Sequence, residues 1–141
     1  MTAEGIIAAL GLARHPEGGW YRQTWAADAP AGQRPSGTAI LFLLKGTERS
    51  HWHRVDATEI WHYHAGAPLT LSMAPQDSGP AMRHALGPDL LSGEMPQLIV
   101  PAGYWQSARS EGAWTLVSCT VSPGFRFDGF ELAPPGFDIP G

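Results

Sequence analysis

The chain holds 17 glycines and 13 prolines, and beyond its first dozen residues they cut it into short apolar or aromatic segments. Glycine tolerates positive φ and proline lacks an N–H, so a chain interrupted this often has little room for long helices. The uninterrupted stretches predict strands at 19–25, 38–44, 49–54, 59–64, 68–74, 81–86, 97–100, 104–109, 113–121 and 125–131. One short helix is expected ahead of them, over 3–13, where Ile6, Ile7 and Leu10 recur at helical spacing and Glu4 sits where the helix dipole favours negative charge. Many short strands without a second helical pattern call for a closed or double-sheet antiparallel architecture, a sandwich or a jelly-roll barrel, with any ligand in its mouth or interior. The tail, APPGFDIPG, is expected to lie over the surface.

At 141 residues the chain is expected to form one domain, 1–141, with a core of its own. Its net charge of −4, and nine Lys and Arg scattered along the sequence, give no electrostatic footprint for nucleic acid or an anionic bilayer. The single cysteine, Cys119, lies in the apolar run LVSCTV and reads as a small buried hydrophobe. The N-terminus has neither a basic leader nor a long apolar run, which with the lone cysteine gives the expectation of a cytoplasmic protein.

Candidate chemistry concentrates in one place. Four of the six histidines, His51, His53, His62 and His64, fall within fourteen residues that also hold Asp56 and Glu59. In a regular strand, His51 and His53 would send both rings to one face, and Glu59 could join them from the returning strand of the same hairpin. Two imidazoles and a carboxylate form a common ligand set for a catalytic divalent metal. Strand parity puts Glu59, Trp61 and Tyr63 on one face and His62 and His64 on the other, where the latter read as hydrogen-bonded neutral rings. Asp56 reads as a hairpin-turn residue capping its own backbone. The segment HPEGG reads as a tight turn built on Gly18 and Gly19, and Arg22 beyond it could face either inward or outward.

The run Gly46, His51, His53, Glu59, Gly66 resembles the first motif of the cupin superfamily, with one more residue between His53 and Glu59 than that pattern has. The extra residue leaves room for a β-bulge. The second cupin motif ends in Pro-x-Gly-x-x-His; here Pro101, Gly103 and Gln106 hold those places, and a neutral amide is a poorer metal ligand than imidazole. The strings HPEGGWYRQTW, TAILFLL, HRVDATEIWHYHAG, LGPDLLSGEMPQLIVPAGYWQ and VSPGFRFDGFEL look like the small cupins catalogued as a domain of unknown function, cupin type 5. These are similar in fold to the sugar-nucleotide epimerases of rhamnose biosynthesis. The resemblance implies an all-β double-stranded β-helix with one short N-terminal helix, assembled as a homodimer.

On that basis the expected function is a small-molecule enzyme acting on a polar, sugar-like or keto-acid substrate. In one version His51, His53, Glu59 and Gln106 hold a divalent metal (Fe, Mn, Zn or Ni) for isomerisation, epimerisation or a dioxygenase-like reaction. In a second, metal-free version, by analogy with the epimerases, His53 or Glu59 removes a proton α to a carbonyl and Tyr63 or Tyr104 returns one. Arg22, Trp61, Tyr104 and Trp105 are the expected substrate-binding residues. A third version is a binding module that holds its ligand without turnover.

Overall fold

The computed structural model describes residues 1–141. It opens on one helix, α1 (Ala3–Leu10), capped by the Thr2 hydroxyl, which accepts the Gly5 N–H at 3.0 Å, and closed by Gly11 at φ 66°. Eleven strands follow: β1 (Ala13–Arg14), β2 (Trp20–Ala26), β3 (Thr38–Lys45), β4 (Ser50–Val55), β5 (Thr58–Gly66), β6 (Leu69–Ala74), β7 (Met82–Leu86), β8 (Gln97–Val100), β9 (Trp105–Ser110), β10 (Trp114–Ser122) and β11 (Phe130–Leu132). They form two antiparallel sheets, ordered β1-β2-β3-β10-β5-β8 and β11-β4-β9-β6-β7. This is the jelly-roll double-stranded β-helix.

Alternation explains the packing. In β10 the odd positions Thr115, Val117, Cys119 and Val121 are buried, and in β3 Phe42 and Leu44 point inward while Leu41 and Leu43 point outward. The outward leucines are covered by Ala3 and Ile6 of α1 and by Leu12 just beyond it. Between the sheets, Leu69, Leu71, Leu86, Val100 and Val117 pack one part of the barrel solid with Phe42 and Trp61. At full burial, each such side chain contributes about 1.5–3 kcal/mol of hydrophobic stabilisation.

A second apolar cluster lies outside the barrel. Trp52 of β4 and Trp105 of β9 face away from the interior and are covered by Ala133, Phe137 and Ile139 of the tail. The tail thus lies over the surface as expected, fastened by the Trp52 indole N–H to Asp138 Oδ1 (2.8 Å) and the Ala81 N–H to Pro140 O (2.8 Å).

One expectation is corrected and another extended. Only Phe130–Leu132 of the segment 125–131 is strand; Phe127–Gly129 is a 3₁₀ turn, and Phe125, Phe127 and Phe130 stack edge-on at centroid distances of 4.9 to 6.0 Å. Asp56 does more than cap its own backbone: its side chain also takes two hydrogen bonds from Arg34, at 2.6 and 3.1 Å. No helix is long and apolar enough to cross a membrane.

Candidate functional site

The turn between β1 and β2 delivers the first two site residues. Within HPEGG, the His15 N–H donates to Gly19 O and the Gly18 N–H to His15 O, both at 3.0 Å. Gly18 and Gly19 take φ of 110° and 80°, values at which side-chain-bearing residues are strained. The Glu17 backbone serves twice more: its N–H donates to His15 Nδ1 (3.1 Å), and its carbonyl accepts the His51 N–H (2.7 Å). The turn is thereby folded onto the start of β4, and the side chains of His15 and Glu17 are driven inward, only 4% and 9% exposed.

Strand β4 supplies the next pair through a β-bulge. Ser50 pairs with Ala108 and His53 with Gln106, so three residues advance on β4 against two on β9. The extra residue puts Ser50 and His53 on the same inward face and breaks the alternation expected of His51 and His53. The Ser50 hydroxyl donates a short hydrogen bond to Glu17 Oε2, and His53 Nε2 lies 3.4 Å from Glu17 Oε1. His51 is turned outward, its Nε2 at 3.0 Å from Pro134 O. The other ring nitrogen of His53 donates to His51 O at 2.8 Å, which fixes the tautomer and leaves the Nε2 lone pair facing Glu17.

From the opposite sheet, β5 brings Glu59 and Trp61 inward. A chain of bonds runs from the Trp61 indole N–H to Gln106 Oε1 (2.9 Å) and from Gln106 Nε2–H to Glu59 Oε1 (2.9 Å). Gln106 thus accepts from Trp61 at its oxygen and donates to the Glu59 carboxyl from its nitrogen. Glu17 and Glu59 border a cavity of about 260 Å³, with Trp61 and Gln106 outside its wall. Glu17, Glu59, His15, Tyr21 and Gln23 supply its polar wall, and Ile40, Val55, Val121, Phe125 and Phe127 its apolar one. His53 lies behind the two carboxyls.

Burial sets the protonation of these groups. It pushes the Glu17 carboxyl up to about 8, against the opposing hydrogen bond from Ser50. It pushes Glu59 up to about 7, with Glu17 adding to the rise and His53, Gln106 and Cys119 working against it. Desolvation lowers His53, and it takes His15 down to about 4. The 3.4 Å contact between His53 and Glu17 is accordingly one between a neutral base and a neutral acid, and not an ion pair. With Nδ1 of His15 accepting from the Glu17 N–H, Nε2 carries that ring's proton.

The structure brings His53, Glu59, Gln106 and Trp61 together and sets other candidates apart. Arg22 faces outward and donates to Leu10 O (3.3 Å), because Tyr21 and Gln23 take the inward parity of β2. Tyr63 and Tyr104 pack against the apolar end of the barrel, and the Tyr63 hydroxyl donates to Gly66 O (2.7 Å). Trp105 lies beneath the tail, with the Arg54 guanidinium 4.7 Å from its ring centroid. His62 and His64 bond the hydroxyls of Thr120 (3.3 Å) and Ser118 (2.8 Å) across β10. Tyr21, whose phenol the sequence offered to a substrate, does line the cavity, whereas His15, Glu17 and Gln23 were missed. Their one sequence signal was a His and a Glu inside a turn that could be read as structural.

A divalent metal does not fit the donor set. His51 has left the cavity, the Gln106 oxygen accepts from the Trp61 indole and does not line the cavity, and no three His, Cys, Asp or Glu side chains are grouped so as to hold an ion. Titrating apo protein with zinc, manganese, nickel or ferrous ion should give no saturable one-to-one heat, and a stoichiometric site would overturn this reading.

Comparison with known proteins agrees with the architecture. Residues 4–133 match the family described as "Cupin superfamily (DUF985)". Protein SO0799 from Shewanella oneidensis is similar at 40% identity and a TM-score of 0.88, over 94% of this chain and 85% of that one. A hypothetical protein from Leishmania major shares 34% identity with a TM-score of 0.85, over 97% and 90% of the two chains. Oxalate decarboxylase from Bacillus subtilis shares the fold at 14% identity and a TM-score of 0.63, over 84% of this chain and 29% of that one. No curated protein matches the sequence. With its barrel, its motif order and a family match running from the helix to the last strand, the chain belongs to the cupin superfamily, in its DUF985 family.

Proposed function

We propose that the protein is a metal-independent acid–base enzyme of the isomerase or epimerase type, acting on an uncharged, sugar-like carbonyl compound. The observation that carries this reading is the placement of two buried carboxyls, Glu17 and Glu59, in one small cavity, with His53 Nε2 3.4 Å from the first. A general base must be ionised and a general acid protonated at the working pH, and environments that separate two carboxyls assign those roles. Glu59, pushed up to about 7, takes the proton from the carbon α to the carbonyl. Glu17, pushed up to about 8, gives its proton to the carbonyl oxygen, leaving a neutral enediol. Glu59 then returns its proton to the former carbonyl carbon while the Glu17 carboxylate takes one from the neighbouring hydroxyl, which yields the isomer. His53 does not line the cavity; its fixed tautomer makes it a positioning residue for Glu17.

Substrate class follows from the wall. No Lys or Arg lines the cavity, so nothing there offsets a phosphate or carboxylate, while a hydroxylated carbonyl compound finds donors and acceptors at His15, Tyr21, Gln23 and Thr38. The test is solvent deuterium incorporation into a panel of aldoses and ketoses, followed by NMR in the presence of chelator. Exchange at the α carbon is expected, and its absence across the panel together with ligand recovered unchanged would make the protein a binding module.

The same assay yields a pH profile. The rate should peak between about 7 and 8, falling on the acid side as Glu59 is protonated and on the alkaline side as Glu17 loses its proton. Glu17→Gln should remove the alkaline limb; a rate climbing steadily to pH 10 in the unmodified protein would contradict the assignment.

A further inference from the structure

We propose that the outer face of the five-stranded sheet carries a site for a single tetrahedral oxyanion, a phosphate or phosphoryl group, built by Arg49, Arg83 and Arg109 around the hydroxyls of Ser72 and Ser107. These arginines are far apart in the sequence, and only the sheet assembles them. Ser72 of β6 pairs with Ser107 of β9 on one side and with Arg83 of β7 on the other, so the three side chains stand in a row across one face. In the next row Thr70 pairs with Arg109. Arg49, just ahead of β4, closes the remaining side with Nη2 at 3.5 Å from Ser107 Oγ. The result is a small depression of about 40 Å³.

Its lining points to an anion. Arg49, Thr70, Ser72, Arg83, Ser107, Ala108 and Arg109 form the wall, with no carboxylate among them. Ser107, 2% exposed, has its hydroxyl on the floor. Two arginines are held from outside: Asp138 lies 3.7 Å from Arg49, and Glu111 accepts from Arg109 Nε at 3.1 Å. Arg83 forms no direct ion pair, but its charge reaches both Asp138 and Glu111, and the Thr70 hydroxyl donates to Glu111 Oε2 at 2.6 Å. Three guanidinium groups face two carboxylates here, Asp138 and Glu111, which leaves an excess of positive charge that a bound anion offsets. Guanidinium forks present parallel N–H donors, and three forks plus hydroxyls surround a tetrahedral anion better than a planar carboxylate. The size suits one phosphate and excludes the backbone of a nucleic acid, in keeping with the net charge of −4.

Inorganic phosphate titrated into the protein at fixed ionic strength, balanced with sodium chloride, should give saturable one-to-one binding by calorimetry and a saturable rise in Tm. Arg83→Ala should weaken the binding about tenfold or more, and Arg109→Gln similarly. Arg14→Ala, outside the depression, should leave it unchanged. Arg83 is exposed, so its loss leaves the fold intact, which the Tm without phosphate checks. Glucose 6-phosphate bound more tightly than inorganic phosphate would identify a phosphoryl group on a larger ligand; equal or weaker binding would identify the free ion. A response to phosphate no larger than that to chloride, or one untouched by Arg83→Ala, overturns the proposal. Isomerase activity, which belongs to the barrel interior, does not enter this test.

Discussion

Glu59→Gln should lower solvent deuterium incorporation by about 10²–10⁴-fold, the usual contribution of a general base, without disturbing the fold. The amide is isosteric, and its oxygen still accepts from Gln106 Nε2, which donates to Glu59 Oε1 at 2.9 Å in the unmodified protein. What disappears is the only group in the cavity assigned to take a proton from carbon. Stability offers an independent reading of the same residue. Burial raises the Glu59 carboxyl from an ordinary 4.5 to about 7, so between those values the folded chain keeps a proton that the unfolded chain has released. Its contribution is therefore intact below pH 4.5 and is lost as pH rises through 7. Relative to the unmodified protein, the glutamine variant should gain Tm steadily from pH 4.5 to 7 and then hold the gain. A difference in Tm that is flat with pH, or a rate within tenfold of the original, would show that Glu59 is not a desolvated base.

Gly18→Ala is expected to produce the largest loss of stability of any single methyl added to the chain. A Cβ at Gly18 would stand 2.0 Å from Arg49 O, and φ is 110°. Neither can relax without moving the turn off β4, so the cost should reach ~3 kcal/mol or more, about 6–12 °C in Tm for a chain near this size. Gly32→Ala separates the two causes, because Gly32 shares a positive φ of 77° but has nothing within 4 Å of the added carbon. That change should cost only the ~1–2 kcal/mol of a left-handed residue. Since His15 and Glu17 ride on the Gly18 turn, the alanine variant should also lose deuterium exchange below its melting range. Equal losses in Tm for the two variants would mean that the contact with Arg49 O is not what holds the turn.

Much of this molecule is readable before folding. TAILFLL and AWTLVSCTV are uninterrupted, largely apolar stretches that predict strands at 38–44 and 113–121, and they lie side by side in the sheet as β3 and β10. Glu59 and Trp61 were assigned to one face by parity and do point inward together, because β5 follows a plain two-residue repeat through that stretch. His51 and His53 defeated the same rule. A one-residue bulge inverts parity from its position onward, and its location depends on how β4 registers against β9, a partner more than fifty residues away. Arg22 was undecided for a related reason: one step of register decides between the cavity and solvent.

The amino-acid sequence alone placed ten of the eleven strands in order, missing only the two-residue β1, and indicated the single leading helix and the family, because local punctuation acts over a few residues. Tertiary structure decided which polar groups meet. Glu17 joins His53 only when the turn closes on β4, and Arg49, Arg83 and Arg109 become neighbours only when β4, β9, β6 and β7 lie in one sheet. Burial then did what composition cannot: it withdrew two carboxyls from water without a cation beside them, and so moved their titration into the neutral range.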